Sequence, residues 1–169
     1  FSNLVTYRFF GRSLFDHQLL MKGVDLSQGR DQARLSDMRV CDYAAEEAPI
    51  FSETTSQQEV LQYLRKTGWN EAYAVDSETQ KFIGFLRAVD LEAGSETPIA
   101  GKLQISDLSF DETTSVRQAM EKLSSFVGDA IPIIKSSDGS LVGVVTEGAI
   151  IQSYLNLAAD LRREENAGL

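Results

Sequence analysis

"FSETTSQQEVLQYL" occupies Phe51–Leu64 and "FDETTSVRQAMEKL" occupies Phe110–Leu123. Both contain Glu-Thr-Thr-Ser, starting at Glu53 and Glu112, an offset of 59 residues. With that offset held, Leu64 meets Leu123, "AYAV" at Ala72 meets "IPII" at Ile131, Ser77 meets Ser136, and "FIGFL" at Phe82 meets "LVGVV" at Leu141. Residue types match over about forty positions without a gap, so the chain of 169 residues is read as two copies of one unit.

Each copy carries its own local signals. Ser56 precedes Glu59 by three residues and Ser115 precedes Gln118 likewise, which reads as two capping boxes. Val60, Leu61 and Leu64 follow at helical spacing behind the first, and Ala119, Met120 and Leu123 behind the second. Gly68 suits the end of the first helix. A short apolar strand comes next ("AYAVD" or "IPIIK"), then a polar turn ("SETQK" or "SSDGS"), then a second strand with a central glycine, Gly84 or Gly143. A further helix is expected near Ala88 and near Glu147, and a short leading strand in "RVCDY" and "LQISD". One such unit is too small for a comfortable core, so two are expected to pack about a pseudo-twofold axis. Gly84 and Gly143 are expected to resist large side chains, because a strand glycine often marks close approach of another backbone or a ligand.

Composition excludes several classes. The chain is 43% hydrophobic, enough for a core, and its formal net charge of −9 disfavours nucleic-acid phosphates and anionic lipid as partners. One cysteine, Cys41, forms no internal disulfide, and with a single histidine, His17, there is no metal cluster to assemble. Glu46 and Glu47 lie in "AAEEAPI", read as a polar insertion of the first copy and as a solvated loop rather than an acid–base pair. No set of acid, base and nucleophile is visible, so the chain is expected not to be an enzyme. The N-terminal "FSNLVTYRFF" is broken by polar residues and too short to span a bilayer, and the start at Phe1 rather than Met reads as a piece of something longer. At the other end Ile151, Tyr154, Leu155, Ala158 and Leu161 form an apolar stripe that needs cover from the other half, the N-terminal arm or a second subunit, and a homodimer is expected.

The repeated pattern, from Asp37 to Tyr154, resembles the tandem CBS domain, or Bateman module. The family's mark is a strand ending in Gly-x-x-Thr/Ser-x-x-Asp. "GFLRAVD" keeps Gly84 and Asp90 but has Arg87 for the Thr/Ser; "GVVTEGA" keeps Gly143 and Thr146 but has Ala149 for the Asp. The resemblance implies an α+β fold of two CBS repeats, each strand-helix-strand-strand-helix, packed with pseudo-twofold symmetry and preceded by a helical linker arm. The divisions expected are 1–36 for the end of a membrane domain and linker, 37–95 and 96–156 for the two repeats, and 157–169 for a C-terminal helix extension. It further implies weak binding of an adenine nucleotide (ATP, ADP or AMP), with no cofactor required. Asp90 would bond ribose, Thr146 phosphate, Arg87 would hold phosphate in place of Thr, and Trp69 would stack on the base or lie part-buried between the repeats. Because each corner keeps half of the motif, Asp90 and Thr146 read equally well as helix N-terminal residues.

The flank "GRSLFDHQLLMKGVDLSQGR", Gly11–Arg30, is similar to the segment that joins the membrane domain of a CLC chloride channel or chloride/proton exchanger to its cytoplasmic CBS pair. Ser13, Leu14, Phe15 and Asp16 would open that family's last transport helix, with Phe15 where a Tyr is usual, and Lys22, Gly23 and Val24 would end it. On this resemblance the chain sits at the cytoplasmic face of a membrane and regulates chloride transport in partnership with the membrane domain of the same chain. The alternative is an adenine-nucleotide-sensing CBS pair of another transporter or of a soluble enzyme.

Overall fold

The structure, a computed structural model, describes residues 29–168. Ser13–Lys22, Phe15 and His17 lie outside the described residues. The fold is α+β. The first repeat runs β1 (Ile50–Ser52), α2 (Gln57–Thr67), β2 (Glu71–Val75) and β3 (Phe82–Arg87), after a leading helix α1 (Gly29–Asp37). The second runs β4 (Phe110–Asp111), α3 (Val116–Leu123), β5 (Ala130–Ile134), β6 (Leu141–Thr146) and α4 (Glu147–Ala167). The sheets have the orders β1-β2-β3 and β4-β5-β6, each with one parallel and one antiparallel pair. β2 and β5, and likewise β3 and β6, begin and end at the same offset of 59, and so do the register slips at Ala74/Val75 and Ile133/Ile134.

Local chemistry sets these elements. Ser56 Oγ accepts the Glu59 N–H at 3.3 Å, and Gly68 at φ +81° closes α2 with its N–H on the Leu64 carbonyl. Around Ser115 the box is reciprocal: Gln118 N–H donates to Ser115 Oγ and Ser115 N–H to Gln118 Oε1. The first box is one-sided, with the Ser56 cap alone, and Gln57 and Gln58 donate their first-turn N–H groups to the Thr97 and Ser95 carbonyls. The shared Glu has a second task that the caps did not suggest. Glu53 accepts from the Ser77 N–H (2.8 Å) and hydroxyl (3.0 Å), and Glu112 from the Ser136 N–H (2.8 Å) and hydroxyl (3.1 Å). Each carboxylate thus ties the turn after the middle strand to the helix entry.

The leading segments cross over. Arg39 pairs with Ser115 of the second repeat, and Pro98 with Ser56 of the first. Val40 is buried in the second repeat's core with Phe110, Val116 and Ile150, whereas Ile99 is buried in the first with Val60, Leu64 and Leu86. Burying a side chain of this kind contributes about 1.5–3 kcal/mol, so each crossing fastens one repeat to the other. The halves also meet directly: Tyr73, Ala130 and Val144 share a core, and Phe82 N–H and Leu141 N–H reach the Gly139 and Gln80 carbonyls across the axis.

Three expectations are corrected. Neither "RVCDY" nor "LQISD" is a strand: Val40–Tyr43 is a 3-10 turn and Gln104 makes one bridge to Phe85, since a segment that pairs through single bridges has no ladder to hold it extended. "AAEEAPI" is not an insertion: Ala45 bonds Val144 as Gln104 bonds Phe85, so the offset of 59 continues through it. The first repeat's closing helix is only a 3-10 turn, Ala88–Asp90. The chain is already extended at Leu91, and the loop that follows is tied down by Gln57, whose side chain bonds Thr97 Oγ1 and the Glu92 N–H. The apolar stripe of α4 is covered within the chain: Tyr154 and Leu161 are buried, Ile151, Leu155 and Ala158 part-buried, and α4 packs on α1 and α3. It therefore does not require a second subunit.

Candidate ligand corners

The first corner stands where β3 ends. Gly84 admits the crossing backbone there: a Cβ on it would lie 2.6 Å from the Gln104 carbonyl oxygen. Phe85 and Gln104 then exchange backbone hydrogen bonds at 2.9 and 2.7 Å. That contact carries the Gln104 side chain to Asp90, where Nε2 donates to Oδ2 at 3.0 Å. Arg87 Nε donates to the same oxygen at 3.0 Å. The Arg87 and Asp90 side chains are 48% and 33% exposed, so the pair faces solvent and is open to a ligand. A pair this exposed contributes about 0–1 kcal/mol to folding.

The second corner differs in kind. Thr146 Oγ1 accepts the Ala149 N–H at 3.0 Å and caps α4. Ala149 is part-buried against the second repeat's core. Glu147 is half-buried, and that burial holds its carboxyl above the usual range. Gly143 meets only the Ala44 side chain, at 3.3 Å from a built Cβ. In the places of Arg87, Asp90 and Gln104 this corner has Thr146, Ala149 and Ala45.

Of the four residues singled out from sequence, Arg87 and Asp90 come together. Thr146 serves as a helix cap, and Trp69 lies part-buried between the first repeat's core and the shared core of Tyr73, Ala130 and Val144. No hydrogen bond or ion pair joins Thr146 or Trp69 to the Arg87–Asp90 pair. Gln104 escaped the sequence reading. Its only signal was its alignment with Ala45 once the offset is carried through "AAEEAPI".

Behind the first corner lies a polar junction between the repeats. Arg87 stands opposite Glu71 in the β2–β3 ladder. Glu71 Oε2 accepts the Asp129 N–H at 2.9 Å, and Asp129 Oδ2 accepts the N–H groups of Asn70 (2.6 Å) and Glu71 (3.1 Å). The buried Tyr73 hydroxyl accepts the Ala130 N–H at 3.0 Å and lies within donating reach of Glu71 Oε2 at 3.3 Å. Burial, and next the neighbouring Asp129 charge, outweigh the Asp129 N–H and hold the Glu71 carboxyl above its ordinary value. Burial and then the Glu71 charge likewise push the Tyr73 hydroxyl upward.

A sequence model of the CBS domain matches residues 101–156. A search of curated proteins finds no match. Among solved structures of similar fold is a CBS domain pair/ACT domain protein from Thermotoga maritima, 19% identical, with TM-score 0.63, covering 70% of this chain and 98% of that one. CbpB in complex with c-di-AMP is 18% identical with TM-score 0.66, covering 80% and 96%. CBSX2, a protein of Arabidopsis thaliana, is 18% identical in its complex with AMP, with TM-score 0.60, covering 72% and 98%. The fold of this chain is that of a CBS domain pair. Among the described residues no helix is long and apolar enough to cross a membrane.

Proposed function

We propose that the chain is a regulatory module that holds an adenine nucleotide at the first corner and does no chemistry of its own. The cluster of Arg87, Asp90 and Gln104 carries this reading. It sets a carboxylate, an acceptor for ribose hydroxyls, beside a guanidinium whose terminal nitrogens suit phosphate. The similar folds captured with AMP and c-di-AMP support the ligand class. A nucleotide that binds only the folded state raises its stability by RT ln(1 + [L]/Kd), so a thermal-shift titration with AMP, ADP and ATP tests it. The expected result is a shift at millimolar nucleotide that vanishes in Asp90→Ala. A shift that survives Asp90→Ala but is lost in Thr146→Ala moves the ligand to the second corner. No shift at millimolar concentration overturns the reading.

The finer proposal places this module on the cytoplasmic side of a CLC-type chloride transport protein, as a partner of the membrane domain in the same chain. Its support is the sequence similarity of Gly11–Arg30. A nucleotide-sensing pair on another transporter or on a soluble enzyme fits the same fold. The sequence preceding Phe1 in the gene separates them: several apolar segments of about 20 residues support the transporter, and a soluble catalytic domain sinks it. Self-association as a homodimer belongs to the same proposal, and the strongly exposed Val89 and Ile105 beside the first corner favour it. Light scattering that reports the monomer mass of 18.7 kDa at all concentrations removes it.

A further inference from the structure

We propose that Gln104, brought in by the segment that crosses between the repeats, is a positioning residue that holds Asp90 for a ribose diol while Arg87 engages phosphate. The inference rests on the nucleotide reading above and names what makes that corner selective. Arg87 and Gln104 both donate to Asp90 Oδ2 at 3.0 Å, and Oδ1 accepts no hydrogen bond from the described residues. Two anchors on one oxygen fix the carboxylate plane and leave the other oxygen for a hydroxyl donor. Arg87 alone is a poor anchor: it is half-exposed, and phosphate competes for its guanidinium. Gln104 has no such competitor. Its backbone is clamped to Phe85 by two hydrogen bonds and lies against Gly84, so its amide arrives from a fixed position.

The two corners compared within one molecule support the same assignment. The second corner lacks the carboxylate, the guanidinium and the amide together, with Ala149, Thr146 and Ala45 in their places. If Gln104 served only to fasten the crossing segment, its counterpart would need the same amide. Ala45 fastens the other crossing with its backbone N–H to the Val144 carbonyl at 2.8 Å and no polar side chain. The amide of Gln104 is thus surplus to the crossing and specific to the carboxylate. The ligand site it completes spans both repeats.

The test is the ratio of affinities for AMP and 2′-deoxy-AMP, by calorimetry or equilibrium dialysis, in the whole chain. In wild type AMP is expected to bind about tenfold tighter, the effect of one lost hydrogen bond to a charged group. In Gln104→Ala the ratio should fall to about twofold or less, and Gln104→Glu, which keeps the shape but removes the donor, should do the same. A structural role for Gln104 would weaken both nucleotides alike and leave the ratio unchanged; that result overturns the inference while leaving the nucleotide reading intact. A wild-type chain that binds neither nucleotide overturns both.

Discussion

Arg87 Nε and Asp90 Oδ2 form an ion pair at 3.0 Å across one turn of chain, at the end of the strand that carries Gly84. The pair occupies the Thr/Ser and Asp places of the Gly-x-x-Thr/Ser-x-x-Asp motif. A guanidinium where the motif has a hydroxyl thus neutralises its own neighbour in the free chain. A nucleotide must share that pair rather than meet two idle groups, which accounts for the weak affinity expected of this corner.

Asp90→Ala should therefore separate binding from folding. The lost pair is exposed, so unfolding by urea should change by about 1 kcal/mol or less. The nucleotide-induced rise in melting temperature should disappear. An unfolding midpoint that collapses in the variant, with m unchanged, would make the pair structural.

The two strand glycines should differ in tolerance. A Cβ on Gly84 would lie 2.6 Å from backbone, at φ +153°, whereas a Cβ on Gly143 would lie 3.3 Å from the Ala44 side chain at an ordinary φ. Gly84→Ala should cost about 2–4 kcal/mol, combining backbone strain with a crossing segment that cannot yield. Gly143→Ala should cost about 1 kcal/mol or less, and Gly143→Val about 1–3 kcal/mol. Urea unfolding of the three variants checks the order; equal loss in the two alanine variants contradicts it.

Glu71→Gln should stabilise the chain at neutral pH. The folded carboxyl of Glu71 is raised above 4.5 by burial first, then by Asp129. A raised acid binds its proton more tightly when folded, so its favourable contribution is present below 4.5 and is lost as pH rises through the folded value. At pH 7 the charge is a cost, and the amide removes it while its oxygen still accepts the Asp129 N–H. The melting temperature should rise at pH 7 and not at pH 4. A fall at pH 7 would show that the charge-assisted bond outweighs desolvation.

Glu112 should act in the opposite sense. The Ser136 N–H, and then its own N–H, hold its carboxyl below 4.5. A depressed acid contributes stability above the unfolded value of 4.5, and this contribution is lost as pH falls through the folded value. Glu112→Gln should consequently flatten the acid side of the stability curve while lowering stability at pH 7. An unchanged acid limb in chemical unfolding between pH 3 and 5 would contradict the assignment.

The sequence alone determined the duplication and, within each copy, the capped helix and the two apolar strands that follow it. Ser115 with Gln118, Ser56 with Glu59, and Gly68 act within a turn of the backbone, so their chemistry is legible from spacing. The apolar runs at Ala72 and Ile131 similarly declare buried strands. At the first corner Gly84, Arg87 and Asp90 were legible because they lie within seven consecutive residues. Tertiary structure decided the partners. That Val40 belongs to the second repeat's core and Ile99 to the first's depends on chain crossing, for which a short segment carries no local signal. Glu53 with Ser77, Glu71 with Asp129, and Asp90 with Gln104 are 24, 58 and 14 residues apart. Such bonds form only once hydrophobic burial has fixed the two repeats on one another, because a single polar contact is too weak to close those loops by itself.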